Sequence, residues 1–147
     1  MDTTDLKILN VLQQDARAPY KEIAERVSLS APAVKERVSK MVASRLIREF
    51  TTVLEPEMLG KSLTAFMFLT LRRADIGEKF LRTIEKEKDV LSCYYLTGDF
   101  DYMIQIVTES SHHLEQVLTR LKGTHEVART RTVIALSTIK EKHSVSP

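Results

Sequence analysis

Val27-Ser28-Leu29-Ser30-Ala31-Pro32-Ala33-Val34-Lys35-Glu36-Arg37-Val38-Ser39-Lys40-Met41 joins a short polar turn to a helix that is apolar on one side and cationic on another. Val34, Val38, Met41 and Val42 recur at i, i+4, i+7 and i+8, which makes one continuous helical face. Arg37, Lys40 and Ser44 recur on a different face, with Ala33 one turn earlier. Ser30 is an N-cap residue, and Pro32 fits the first turn because an N–H there has no intrahelical partner. Ahead of the turn, Ile23, Ala24 and Val27 form the apolar stripe of another short helix. Two short helices joined in this way, the second presenting cations, have the design of a helix-turn-helix DNA reader. An ordinary helical hairpin with a solvated face would leave the same local pattern.

Charge separates the two. Residues 1–50 hold 9 Lys/Arg against 7 Asp/Glu, whereas residues 51–147 hold 13 of each. Within 30–48, Lys35, Arg37, Lys40, Arg45 and Arg48 face Glu36 alone. Phosphate attraction needs local cations rather than a high overall charge, so this clustering favours double-stranded DNA as a partner. The rest of the composition is that of an ordinary soluble chain, with 43% apolar and 29% charged residues. No apolar run nears the roughly 20 residues that span a bilayer, and no signal-peptide pattern opens the chain, so no membrane partner is expected. The single cysteine, Cys93, excludes an intrachain disulfide or a Cys-based zinc site and reads as a buried thiol. A reducing cytoplasm is the expected location, with no cofactor and no metal.

Periodicity changes near residue 50. Leu6, Ile8, Leu9, Val11 and Leu12 predict a first helix starting near Asp2 to Thr4. Tyr20 to Val27 follows Pro19 as the second helix, and the third runs from Ala31 to about Arg45. Ile47 to Leu54 is rich in strand formers and reads as the wing of a winged helix-turn-helix. Glu55-Pro56-Glu57-Met58-Leu59-Gly60 is the linker. Strands are expected at Ser62 to Leu71, Val90 to Leu96, Tyr102 to Val107 and Val127 to Leu136. Helices are expected at Asp75 to Lys86, with Phe80, Leu81 and Ile84 inward, and in a segment capped by Ser111 with the stripe Leu114, Val117, Leu118 and Leu121.

The resulting order, β-α-β-β-α-β, is the ferredoxin-like plan with both helices on one face of an antiparallel sheet. Strand residues are apolar on both sides, so the bare face is expected to pack against a second subunit as a homodimer. The expected class is therefore α+β. Residues 1–50 form a winged helix-turn-helix, 51–61 a linker strand or hinge, and 62–147 a ferredoxin-like domain for effector binding and oligomerisation.

The chain resembles the Lrp/AsnC (leucine-responsive, feast/famine) family of transcriptional regulators over nearly its whole length. The residues that carry the resemblance are Asp5-Leu6-Lys7-Ile8-Leu9-Asn10, Asp15-Ala16-Arg17, and Leu29-Ser30 through Arg37-Val38. They continue with Gly98-Asp99-Phe100-Asp101-Tyr102 and with Thr130-Arg131-Thr132 ahead of Ile139-Lys140. The resemblance implies dimers that build higher oligomers, often octamers, with amino-acid effectors held where C-terminal domains of neighbouring subunits meet. Carried over by position, DNA contacts fall on Ser28, Ser30, Ala31, Pro32, Lys35, Arg37 and Lys40. The effector site falls on Gly98, Asp99 and Asp101, with Thr130 and Thr132 nearby.

The chemistry of these residues is compatible with both roles. Arg37 and Lys40 suit guanine edges or phosphates, and Ser30 suits a phosphate at a helix N-terminus. Gly98 admits close backbone approach for a carboxylate, and Asp99 or Asp101 suits an α-ammonium. A plain Asp-Gly turn with self-bonded carboxylates would look the same. One departure from the family pattern is Arg45, where a glycine usually follows the third helix; a left-handed arginine there costs roughly 1 kcal/mol. Two other uses of the plan are an effector-independent DNA-wrapping protein and a haem-precursor decarboxylase. The latter requires acid–base histidines facing a cavity. His112, His113, His125 and His143 read instead as solvated surface residues, so no catalytic residue is expected.

Overall fold

The computed structural model describes residues 1–72, 78–123, 127–142 and 145. It divides into two compact units, Met1–Val53 with Lys140–Pro147 and Leu54–Ile139. The described residues from Lys140 onward group with the first unit, whereas the sequence reading places them with the sheet domain.

The first unit contains α1 (Thr3–Gln14), α2 (Tyr20–Val27) and α3 (Ala31–Ala43). Ile8, Leu9 and Leu12 of α1, Ile23 and Ala24 of α2, and Val34, Val38 and Met41 of α3 make one buried cluster. The chain passes from α2 to α3 through Ser28, Leu29 and Ser30. Ser28 is left-handed at φ 57°, and the Leu29 N–H reaches back to the Ala24 carbonyl at 3.0 Å. This left-handed residue turns the chain so that α3 crosses over α2 with its apolar stripe inward. Ser30 caps α3, its Oγ accepting from the Ala33 N–H at 3.4 Å.

The third helix ends at Ala43, earlier than its apolar spacing suggests. Arg45 is left-handed at φ 59°, and the Ile47 N–H bonds the Met41 carbonyl at 3.0 Å. The expected wing strand is absent: residues 47–54 have no strand pairing in this chain. Their strand-forming side chains remain, but a strand needs a neighbour for its N–H and C=O groups. Phe50, Val53 and Leu54 are exposed.

In the second unit a short 3-10 turn, Glu57–Leu59, leads into β1 (Leu63–Leu71). There follow α4 (Glu78–Lys86), β2 (Val90–Tyr95), β3 (Tyr102–Thr108), α5 (Ser111–Lys122) and β4 (Val127–Ile134). The sheet order is β2-β3-β1-β4, and all three ladders are antiparallel. Ala65, Met67, Leu69 and Leu71 of β1 point into a core with Phe80, Tyr102, Ile104, Ile106, Leu114, Val117 and Leu121. Phe66 and Phe68 lie on the other face, half-buried.

Three details differ from the sequence reading. Leu81 is on the exposed side of α4, because Phe80 and Ile84 alone reach the core. The cap of α5 is Ser110, whose Oγ accepts from the His113 N–H at 3.1 Å. Residues 75–77, expected as the first turn of α4, lie outside the described residues.

Arg45 holds a conformation that glycine adopts without steric cost. Arg45→Gly is expected to stabilise the protein by about 0.5–1 kcal/mol in urea unfolding, the relief of left-handed strain exceeding the extra backbone entropy lost. An unchanged or lower stability would show that the arginine side chain offsets its backbone strain.

Candidate DNA-binding helix and effector turn

The buried stripe of α3 determines what the helix shows outward. Opposite Val34, Val38 and Met41 lie Pro32, Lys35, Glu36, Ser39, Lys40 and Ala43, all exposed. Ser28 and Ser30 are exposed in the turn before it, and Ala31 is half-buried. The Ser30 oxygen serves as a cap acceptor, which leaves its O–H as a donor for an incoming phosphate. Lys40 pairs with Glu36 at 2.7 Å, both well exposed, and the lysine holds the Glu36 carboxyl below its usual range. Such a solvated pair is weak. Ser39 is missed by the sequence reading. A helical wheel centred opposite the apolar stripe, rather than on the row of cations, would have found it.

Arg37 is placed differently from the expectation. It is half-buried on the flank of α3, and its Nη1 donates to Asp2 Oδ2 and Asp5 Oδ1, both at 2.7 Å. The remaining carboxylate oxygens form the capping box of α1, with Asp5 N–H to Asp2 Oδ1 at 2.8 Å and Asp2 N–H to Asp5 Oδ2 at 2.9 Å. Backbone donation within the box and the Arg37 bond hold both carboxyls below their usual range. The carboxylates in turn raise the Arg37 guanidinium above its own.

The turn between β2 and β3 is tied to the end of β1 by several bonds. The Leu96 N–H reaches the Asp101 carbonyl at 2.7 Å, and the Asp101 N–H reaches the Leu69 carbonyl at 2.9 Å. Asp101 Oδ2 accepts from the Leu71 N–H at 2.8 Å, and Thr70 Oγ1 contacts the Asp99 carbonyl at 3.5 Å. Asp101 is thus engaged in holding the turn onto β1. Asp99 is exposed, and Gly98 has φ +121°, a region essentially reserved for glycine. No atom lies within 4 Å of where a Gly98 Cβ would stand, so the space above the turn is open. Phe100 packs on Phe68 at 5.7 Å, with the Arg129 guanidinium 4.7 Å from its ring centre. Thr130 is the cross-strand partner of Leu69, which brings it beside the turn; Thr132 is two pairs further, opposite Met67.

The histidines are not uniformly solvated. His113 is half-buried, with Nε2 2.8 Å from Asp89 Oδ2 and Nδ1 3.0 Å from Glu109 Oε1. Asp89 is buried and also accepts from Lys61 Nζ. His112 is exposed and meets Gln116 at 3.1 Å. His125 and His143 lie outside the described residues. Cys93 is half-buried against the core, and burial pushes its thiol pKa up. No helix among the described residues is long and apolar enough to cross a membrane.

Known proteins resemble this chain over nearly its whole length. A model of the AsnC-type helix-turn-helix domain matches residues 1–42, and one of the Lrp/AsnC ligand binding domain matches residues 64–145. The HTH-type transcriptional regulator FL11 of Pyrococcus abyssi is 33% identical over 141 residues, covering 96% of this chain and 93% of the relative. The leucine-responsive regulatory protein of Escherichia coli K12 is 33% identical over 149 residues, covering 97% and 89%. The transcriptional regulator NMB0573/L-Met complex from Neisseria meningitidis superposes with a TM-score of 0.92 at 33% identity, covering 99% and 96%.

Burial raises the Asp89 carboxyl, but the bonds from Lys61 and His113 outweigh it and hold the pKa below the usual value. A carboxyl lowered in the folded state contributes stability near neutrality that is lost as pH falls. Asp89→Asn is therefore expected to lower stability at pH 7 and to shrink the loss between about pH 5 and pH 3, read by urea unfolding. An acid limb as steep as the wild type's would remove Asp89 from it.

Proposed function

The chain belongs to the Lrp/AsnC family of DNA-binding transcription regulators, and we propose that α3 is its DNA reader and the Gly98–Asp101 turn its effector site. The outward arc of α3 carries the first assignment: Lys35, Ser39 and Lys40 stand opposite a stripe that is fully committed to the core. The arc has the shape and charge to enter a major groove, with Ser28, Ser30, Ala31 and Pro32 meeting the flanking backbone and base edges at its N-terminal end. Lys35 and Lys40 are the cations of the reader; Arg37 is engaged elsewhere.

The effector is proposed to be an α-amino acid or a close relative. Support comes from the open space over Gly98, the exposed Asp99 carboxylate and the L-Met named in the similar Neisseria structure. Amide N–H groups of the turn would receive the carboxylate, and Asp99 the ammonium. Asp101 acts by holding the turn in place. Thr130 stands beside the turn and Thr132 further along the same strand. A second copy is proposed to cover the sheet face bearing Phe66, Phe68 and Val133, giving a dimer that assembles further towards an octamer and works in the cytoplasm. Burying this half-apolar face is the physical drive for the dimer.

Binding of a random-sequence duplex should weaken linearly in log salt, with a slope near −0.9 per phosphate neutralised. Lys40→Ala should weaken binding across all sequences and reduce that slope by about 1. Footprints and salt slopes identical to wild type would remove Lys40 from the reader.

Thermal unfolding against each of the twenty amino acids tests the effector site. A selective ligand at a hundredfold excess over Kd should stabilise the protein by about 2.7 kcal/mol, and Asp99→Ala should abolish the shift. A shift that survives Asp99→Ala would place the ligand elsewhere.

A further inference from the structure

We propose that Arg37 acts on α1 rather than on DNA: it is a positioning residue that neutralises Asp2 and Asp5 and seats the reader helix against them. The inference rests on the reading of α3 as the DNA reader. Three observations carry it. The two carboxylates are fixed in space before Arg37 reaches them, because each spends one oxygen on the reciprocal capping box of α1. Arg37 then takes the other oxygen of each with a single nitrogen, at 2.7 Å in both bonds. Its side chain is 34% exposed, against 74% for Lys40 one turn on, so it lies on the flank of the helix and not at the crest.

The geometry gives Arg37 two effects on the reader. Rotation of α3 about its axis would break both bonds, so the pair holds Lys35, Ser39 and Lys40 at their outward angle. The carboxylates also gather negative charge at the start of α1, beside the helix that must approach phosphates. They belong there on local grounds, because carboxylates are favoured at a helix N-terminus. Arg37 leaves the group of three with a net charge of −1 instead of −2. The charged groups that act on the guanidinium are Asp2, the cap of α1, and Asp5 within it; Glu36 of its own helix feels the arginine and is paired with Lys40.

A base reader and a positioning residue differ in what their loss does. Removing a base contact relaxes the preference at one position, and no change in α1 restores it. Removing a neutralising partner weakens binding to all sequences alike, and removing the carboxylates as well restores part of it, which is the coupling a mutant cycle measures.

The experiment is selection from a random 30-base-pair duplex library by the intact wild type, Arg37→Gln, Asp2→Asn/Asp5→Asn, and the triple variant Asp2→Asn/Asp5→Asn/Arg37→Gln, the four corners of the cycle. Sequencing gives the base preferences, and titration of the enriched pool gives affinities. We expect Arg37→Gln to bind about five- to tenfold more weakly with an unchanged preference at every base. The triple variant should bind about threefold more tightly than Arg37→Gln, because the unneutralised carboxylates are gone, yet fall short of the wild type, because the seating bonds are gone as well. A flattened preference at one base position in Arg37→Gln, or a triple variant as weak as the single one, would overturn the proposal. If the wild type enriches no sequence, the DNA reading itself fails, and this inference fails with it. Urea unfolding of each variant shows whether weaker binding comes only from a lower folded fraction, which would also overturn it.

Discussion

The sheet domain depends on one strand. β1 and β3 are the two central strands, each hydrogen-bonded on both sides, and β1 in addition carries a polar tie at each of its ends. At its entry Lys61 is held by the buried Asp89, which also holds His113 of α5. At its exit the Leu71 N–H is held by Asp101, and a bulge at Thr70/Leu71 shifts its register against β4. A carboxylate as deep as Asp89 costs energy unless its partners are in place. The ends of β1 therefore locate α5, the β2–β3 turn and the last strand with respect to one another.

That strand was also the most legible part of the chain. Ala65, Met67, Leu69 and Leu71 alternate against Phe66 and Phe68, and strict alternation can bury only one set against the helices. The order of elements followed from the same periodicity. What periodicity could not reveal is what depends on partners distant in sequence. Leu81 looks as apolar as Phe80, yet one helical step turns it away from the face that Phe80 and Ile84 present to the core. Residues 47–54 have the composition of a strand, but composition supplies no pairing partner, and no ladder forms there within a single chain.

The reader helix shows the same limit at the level of side chains. Spacing alone put Arg37 in a row with Lys40 and Ser44, and that row does exist on the helix. The core is not opposite the row, however. It is centred on Val34, Val38 and Met41, which turns Arg37 to the flank and Ser39 to the crest. Nothing local in the sequence connects Arg37 with Asp2 and Asp5, more than thirty residues earlier. Arg45, by contrast, was flagged by the family resemblance, which usually places a glycine there, and the structure gives it a left-handed φ of 59°.

The effector turn combines both kinds of information. Gly98 and Asp99 could be read as a turn with open amides and a free carboxylate, because φ and exposure are local properties. Asp101 could not be separated from Asp99 in that way, since its carboxylate is claimed by an N–H on another strand. Under the proposed effector reading, the two aspartates would divide the labour that an amino-acid site needs. One must be rigidly held so that the backbone amides stay aimed, and the other must stay free to meet the ammonium. A turn with both carboxylates free would bind a zwitterion only after ordering itself, and that ordering would be subtracted from the affinity. Because Asp101 is anchored on Leu71 and backed by the Phe68–Phe100–Arg129 stack, the ordering is largely done before any ligand arrives.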